Sequence, residues 1–199
     1  SDLVDGYRRF RTADWRRQRE RWSELKEGQS PKVMVIACSD SRVDPAQVFD
    51  TLPGEIFVVR NVAALVPPFE TTPGIHGVSA ALEFAVRVLE VPRIIILGHA
   101  MCGGVHALLN GFPETAQDFV EPWMRIASEA RARALVCEPG DAQTACEQET
   151  VKLSLRNLRS FPWVAQRLAE GRLKLTGGSF DIRSGLLTIL GDDGNFHPA

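Results

Sequence analysis

The sequence predicts an α/β fold, a central and mostly parallel β-sheet flanked by helices, with an N-terminal helical arm and a C-terminal strand pair. Lys32–Ala37, Ile56–Val59 and Ile94–Leu97 are apolar runs without polar alternation, as expected of strands covered on both faces. Between the second and third, Val78, Leu82, Ala85, Val86 and Leu89 recur at helical spacing. Strand, helix, strand implies a crossover between parallel neighbours.

The elements follow in order. Residues 1–27 are polar and Arg-rich, with Phe10, Trp15, Trp22 and Leu25 among Arg8, Arg9, Arg11, Arg16, Arg17, Arg19 and Arg21. Interspersed Asp14, Glu20, Glu24 and Glu27 argue for an amphipathic helical arm that packs on the body or on a second subunit, rather than for a nucleic-acid or membrane anchor. The first strand stops at Cys38, the second follows a Pro53-Gly54 turn, and the helix behind it starts at Pro73-Gly74. The third strand ends at Gly98-His99. Helices are expected over 118–136, 141–159 and 163–169, and strands over 172–176 and 186–190, with Gly177-Gly178 and Ser184-Gly185 as turn residues. No repeat or linker divides the chain, so 1–199 reads as a single domain with 1–27 as its arm.

Composition narrows the function. With 44% hydrophobic and 24% charged residues the 199-residue chain can bury a core, which excludes disordered and fibrous classes. A formal charge of -2 gives no global basic field, so neither nucleic acid nor membrane is an expected partner and a small molecule is. No apolar run approaches the ~20 residues of a membrane span, and no signal peptide is visible. The chain begins at Ser1 rather than Met, which leaves a removed targeting segment open. Four cysteines in a chain able to fold without staples point to ligand or nucleophile roles and to a reducing, cytoplasmic location.

Chemistry concentrates at two strand ends. In Cys38-Ser39-Asp40-Ser41-Arg42 alternate residues share a side, so Cys38, Asp40 and Arg42 can face one cavity. His99 and Cys102 stand in Gly98-His99-Ala100-Met101-Cys102-Gly103-Gly104, also at a strand's carboxyl end, where open α/β sheets place their sites. Each residue alone would pass as buried core; thiolates, imidazole, acid and guanidinium together point to a metal site. Two thiolates and one imidazole suit Zn²⁺, and three ligands leave a fourth position for water, substrate or Asp40, the pattern of a catalytic centre. A phosphatase-type nucleophilic cysteine is disfavoured, because Arg42 follows Cys38 by only four residues and no Gly-rich cradle lies between. Cys137 and Cys146 read as bystander thiols in helices rather than a redox pair. His76 and His106 are candidate proton shuttles, and His197 is expected to fray.

These two motifs resemble the signature pair of the β-class carbonic anhydrases, over about Gly28 to Gly111 with weaker agreement to the C-terminus. The resemblance implies reversible, zinc-dependent hydration of carbon dioxide to bicarbonate. Cys38, His99 and Cys102 would hold one zinc per chain, and Asp40 with Arg42 would order the zinc-bound water or hydroxide. Gln29 matches the substrate-binding glutamine of the plant-like subgroup, Phe57 an apolar wall of the carbon dioxide pocket, and Gly103 a backbone N–H donor to substrate. Phe84 stands where that subgroup often has tyrosine, so a hydroxyl is missing. A second subgroup is inhibited by bicarbonate at a Trp–Arg–Tyr site. Here Val35 and Phe180 replace the Trp and Tyr and only Arg60 remains, so that site is expected to be absent. The resemblance further implies a homodimer or larger homo-oligomer with active sites at the subunit interface. Two other readings use the same residues: a zinc hydrolase acting on carbon disulfide or carbonyl sulfide, and a non-catalytic zinc module, against which Gln29, Asp40 and Arg42 together argue.

Overall fold

A computed structural model describes residues 2–72, 74–136 and 141–199. Cys137, and the Pro73 of the expected helix start, lie outside the described residues. Among the described residues one six-stranded sheet forms, from β1 (Val33–Cys38), β2 (Ile56–Asn61), β3 (Arg93–His99), β4 (Lys174–Asp181), β5 (Leu186–Leu190) and β6 (Phe196–Pro198). Its order is β2-β1-β3-β4-β5-β6. The first four strands are parallel, and β5 and β6 are added antiparallel.

The helices are α1 (Leu3–Thr12), α2 (Asp14–Arg17), α3 (Arg19–Leu25), α4 (Pro45–Val48), α5 (Gly77–Glu83), α6 (Gly103–Asn110), α7 (Val120–Met124), α8 (Ser128–Val136), α9 (Ala142–Leu158) and α10 (Pro162–Ala169). None of those described is long and apolar enough to cross a membrane. The period-2 alternation of β1 splits its side chains between two cores. Met34 and Ile36 pack with Leu82 and Val86 of the α5 region, Leu155 and Leu158 of α9, and Phe161. Val35 and Ala37 pack on the other face with Leu97, Val43 and Phe180. Full burial of both sets is why this strand reads as a continuous apolar run.

Several expectations are refined. The arm is three short helices rather than one, because Phe10 meets the Trp22 ring edge-on at 6.2 Å, whereas twelve residues of unbroken helix would span about 18 Å. Behind α5 the helix widens into a π turn over Phe84–Val88, where Leu89 N–H reaches the Phe84 carbonyl. The 118–136 helix is broken into α7, a 3₁₀ turn and α8. Gly177 and Gly178 are not a turn but lie inside β4. A Cβ on Gly177 would fall 2.9 Å from both Val151 and Leu155, so glycine there lets α9 lie close on the sheet. Gly98 does the same on β3, where a Cβ would stand 2.5 Å from Val151 Cγ2. β6 was not foreseen, and His197 is not frayed: it pairs with Ile189 in the sheet and its ring contacts the Asp193 carboxylate at 2.9 Å.

Candidate metal centre

β1 and β3 are adjacent, with Ala37 opposite Leu97, so the residues that leave their carboxyl ends meet. Cys38 Sγ, a His99 ring nitrogen and Cys102 Sγ all lie within 4.8 Å of one another, and all three residues are buried. The His99 tautomer is fixed. Nδ1 lies 2.9 Å from the Ala100 carbonyl, so it carries the proton and donates, which leaves Nε2 with a bare lone pair and no hydrogen-bond partner among the described residues. A buried, unpartnered imidazole nitrogen flanked by two sulfurs fits a cation of zinc's character, with Nδ1 held as ligating histidines require.

Backbone geometry prepares the sulfurs. Beyond β2 the chain turns through two left-handed alanines, Ala63 (φ 66°) and Ala64 (φ 53°), unusual for residues with a Cβ. Asn61 bridges that turn, accepting from Leu65 N–H at 2.8 Å and donating to the Leu65 carbonyl at 2.9 Å. The turn delivers Ala63 N–H to Cys38 Sγ at 3.4 Å, beside Asp40 N–H at the same distance. The Cys102 hydrogen bond, with these N–H groups and His99, outweighs burial and holds the Cys38 thiol well below its ordinary range. The Cys38 thiolate and burial push Cys102 the other way, above its ordinary range. Burial disfavours charge on His99, but the neighbouring Cys38 thiolate prevails and raises its pKa.

Asp40 and Arg42 face the same cluster. Arg42 donates Nε to Asp40 Oδ1 at 2.9 Å and Nη2 to Oδ2 at 2.7 Å, and its backbone N–H also reaches Oδ1 at 2.9 Å. These bonds hold the carboxyl well below the usual carboxylate range, so Asp40 is an obligate acceptor. Oδ2 stands 3.9 Å from His99 Nε2. Arg42 Nη2 also reaches the carbonyl of Met101, a residue in left-handed backbone between His99 and Cys102. Gly103 adjoins Cys102 at the start of α6.

The remaining sequence candidates lie elsewhere. Phe57 and Phe84 stack at 5.8 Å, but Phe57 pairs with Met34 while Asn61 pairs with Cys38, so Phe57 is about 13 Å down the strand from the level of its own chain's Cys38. Gln29 is exposed just before β1, at the opposite end of the sheet from Cys38. His106 is exposed beside Asn110, and His76 is held by the Thr72 carbonyl and Glu70. Cys146 is buried, and burial pushes its thiol up to about 11, which makes it inert. Val35 and Phe180 sit in the core, and Arg60 is already engaged, donating to the carbonyls of Cys38 (2.8 Å), Asp40 (2.6 Å) and Val43 (3.0 Å) and to Asp44 Oδ2 (3.3 Å).

Sequence reasoning missed that brace by Arg60. It also missed Gln143 and Glu147 on α9, which contact the Cys102 backbone. Burial pushes the Glu147 carboxyl up, and its hydrogen bonds offset part of that. The available signal was position: Glu147 precedes Thr150, Val151, Ser154 and Leu158 at the spacing of a buried helical stripe.

Comparison with known proteins agrees with this geometry. A carbonic anhydrase family model matches residues 33–187. Beta carbonic anhydrase 3 of Arabidopsis thaliana is 35% identical over 194 residues, 94% of this chain and 75% of that protein. The structure of the β-carbonic anhydrase CcaA superposes with a TM-score of 0.90 at 31% identity, covering 99% of this chain and 90% of that one. A tetrameric β-carbonic anhydrase of the ascomycete Sordaria macrospora gives 0.83 at 25% identity over 95% of each chain. Motif order, sheet topology and relatives converge, and the chain belongs to the β-class carbonic anhydrase family.

Proposed function

We propose that the protein catalyses the reversible hydration of carbon dioxide to bicarbonate and a proton, with Zn²⁺ held by Cys38 Sγ, His99 Nε2 and Cys102 Sγ. The observation that carries this reading is the unpartnered His99 Nε2 between two sulfurs, beside a carboxylate already locked by an arginine. Bound there, Zn²⁺ would supply the Lewis acidity that makes water a nucleophile near neutral pH. Asp40 does the orienting. Held ionised and unable to rotate by Arg42, it can accept an O–H from the attacking water but cannot donate, so the water's lone pair is turned towards carbon dioxide. The Gly103 N–H, at the N-terminus of α6, is a donor for the charge that develops on the substrate oxygens.

The apolar part of the pocket is assigned to a second copy of the chain. Gln29, Phe57 and Phe84 lie at the far end of their own sheet, and an apolar wall made by the Phe57–Phe84 stack suits a small nonpolar gas. The arm leaves Leu3, Val4, Tyr7 and Phe10 exposed, a face that a partner subunit would cover. Thiol ligands must stay reduced, so the proposal places the protein in the cytoplasm.

Stopped-flow carbon dioxide hydration, with zinc quantified on the same sample, tests the reading. About one zinc per chain and activity lost to a chelator and restored by zinc are expected; a zinc-replete protein without hydration would overturn it. Complementation tests the shared site. A mixture of inactive Gln29→Ala and Asp40→Ala chains, allowed to exchange subunits, should recover about a quarter of wild-type activity, since half the dimers are mixed and each has one intact site. No recovery in demonstrably mixed dimers would place Gln29 outside the partner's site.

A further inference from the structure

The long helix α9 touches the cluster without offering it a ligand. Glu147, 4% exposed, accepts the Cys102 backbone N–H at 2.9 Å. Gln143, one turn earlier, donates Nε2 to the Cys102 carbonyl at 3.1 Å and to Glu147 Oε1 at 2.6 Å. Both polar groups of one residue's backbone are thus gripped by an i, i+4 pair on a single helix. The grip is tied to the sheet, because α9 lies close against β3 and β4 only where Gly98 and Gly177 present no Cβ to Val151.

We infer that Gln143 and Glu147 are positioning residues of the metal centre: by fixing the Cys102 backbone they aim its sulfur at the position that Cys38 and His99 also face. The Cys102 sulfur faces Cys38 and the Gly104 and Val105 N–H groups at the start of α6, so where it points follows from how its backbone is held. The Gln143 amide in turn holds the Glu147 carboxylate towards the Cys102 N–H. Outer contacts that orient ligands commonly change metal affinity ~10–100-fold when removed.

The inference rests on the zinc reading, and the experiment separates the two. Zinc affinity is measured by competition with a chromophoric chelator, and the thiolate-to-metal charge-transfer band is recorded on the cobalt-substituted protein. Wild type must first bind one ion with both thiolates, and failure there would remove the zinc reading itself. Glu147→Leu should then bind zinc ~10–100-fold more weakly and shift the cobalt band. Glu147→Gln, which keeps an acceptor for the Cys102 N–H, should restore most of the affinity. Gln143→Leu, at a half-buried position, should fall between them and keeps the test open should Glu147→Leu not fold. Leu158→Ala, a buried change on the same helix whose side chain packs in the other core with Met34 and Ile36, should lower stability while leaving the band in place. Wild-type affinity and spectrum in Glu147→Leu or Gln143→Leu, or an equal shift in Leu158→Ala, would overturn the positioning role.

Discussion

Cys102→Ala is expected to leave purification with far less than one zinc per chain and with hydration near background. The substitution removes one of two sulfurs and leaves Cys38 and His99, a two-ligand set with no other His, Cys, Asp or Glu grouped with them as a metal cluster among the described residues. The loss should exceed the ~10–100-fold typical of outer contacts, because a coordinating atom itself is gone. The fold should survive. Cys102 is a small residue at a helix start, and the surrounding core of Val105, Leu108 and Met124 is untouched. Metal analysis with circular dichroism checks both halves, and full zinc retention in a folded variant would refute the ligand assignment. Cys146→Ala, equally buried but outside the cluster, should keep its zinc and serves as the control.

Asp40→Ala should do the reverse, keeping zinc and losing ~10²-fold or more in kcat, the usual consequence of deleting a preorganised hydrogen-bonding group at a reacting centre. The Asp40 carboxylate stands 3.9 Å from His99 Nε2 and is not grouped with the three candidate ligands, so its removal should leave the metal held. Arg42→Ala should resemble it, since the carboxylate then loses both side-chain bonds that fix its orientation. Stopped-flow rates on zinc-quantified samples decide the matter. Wild-type turnover in zinc-replete Asp40→Ala would disprove the orienting role while leaving the ligand set intact.

What could be read from sequence follows a physical divide. Cys38, His99, Cys102, Asp40 and Arg42 were legible because each sits within a few residues of the carboxyl end of an apolar strand, and parallel strands bring such ends together whatever the intervening chain does. Gln143 and Glu147 were not, because an i, i+4 polar pair looks like a solvated helix face until packing shows which side the sheet takes. Gly177-Gly178 misled for a related reason. Glycine signals a turn locally, but here its missing side chain answers to a helix some twenty residues earlier. The π turn begins at Phe84, which stacks on Phe57, and the broken arm brings Phe10 to Trp22, contacts between distant residues that local periodicity does not encode.

The brace by Arg60 bears on time rather than on strength. Cys38, His99 and Cys102 are each at most 5% exposed, and the loop from Cys38 to Val43 that closes over them is fastened by three carbonyls on one guanidinium. Lifting that loop requires all three bonds to open together, a rarer event than ordinary loop fluctuation. The cluster is therefore shaped before a cation arrives, and Arg60→Ala is expected to quicken the entry and exit of a metal more than it changes the geometry that holds it.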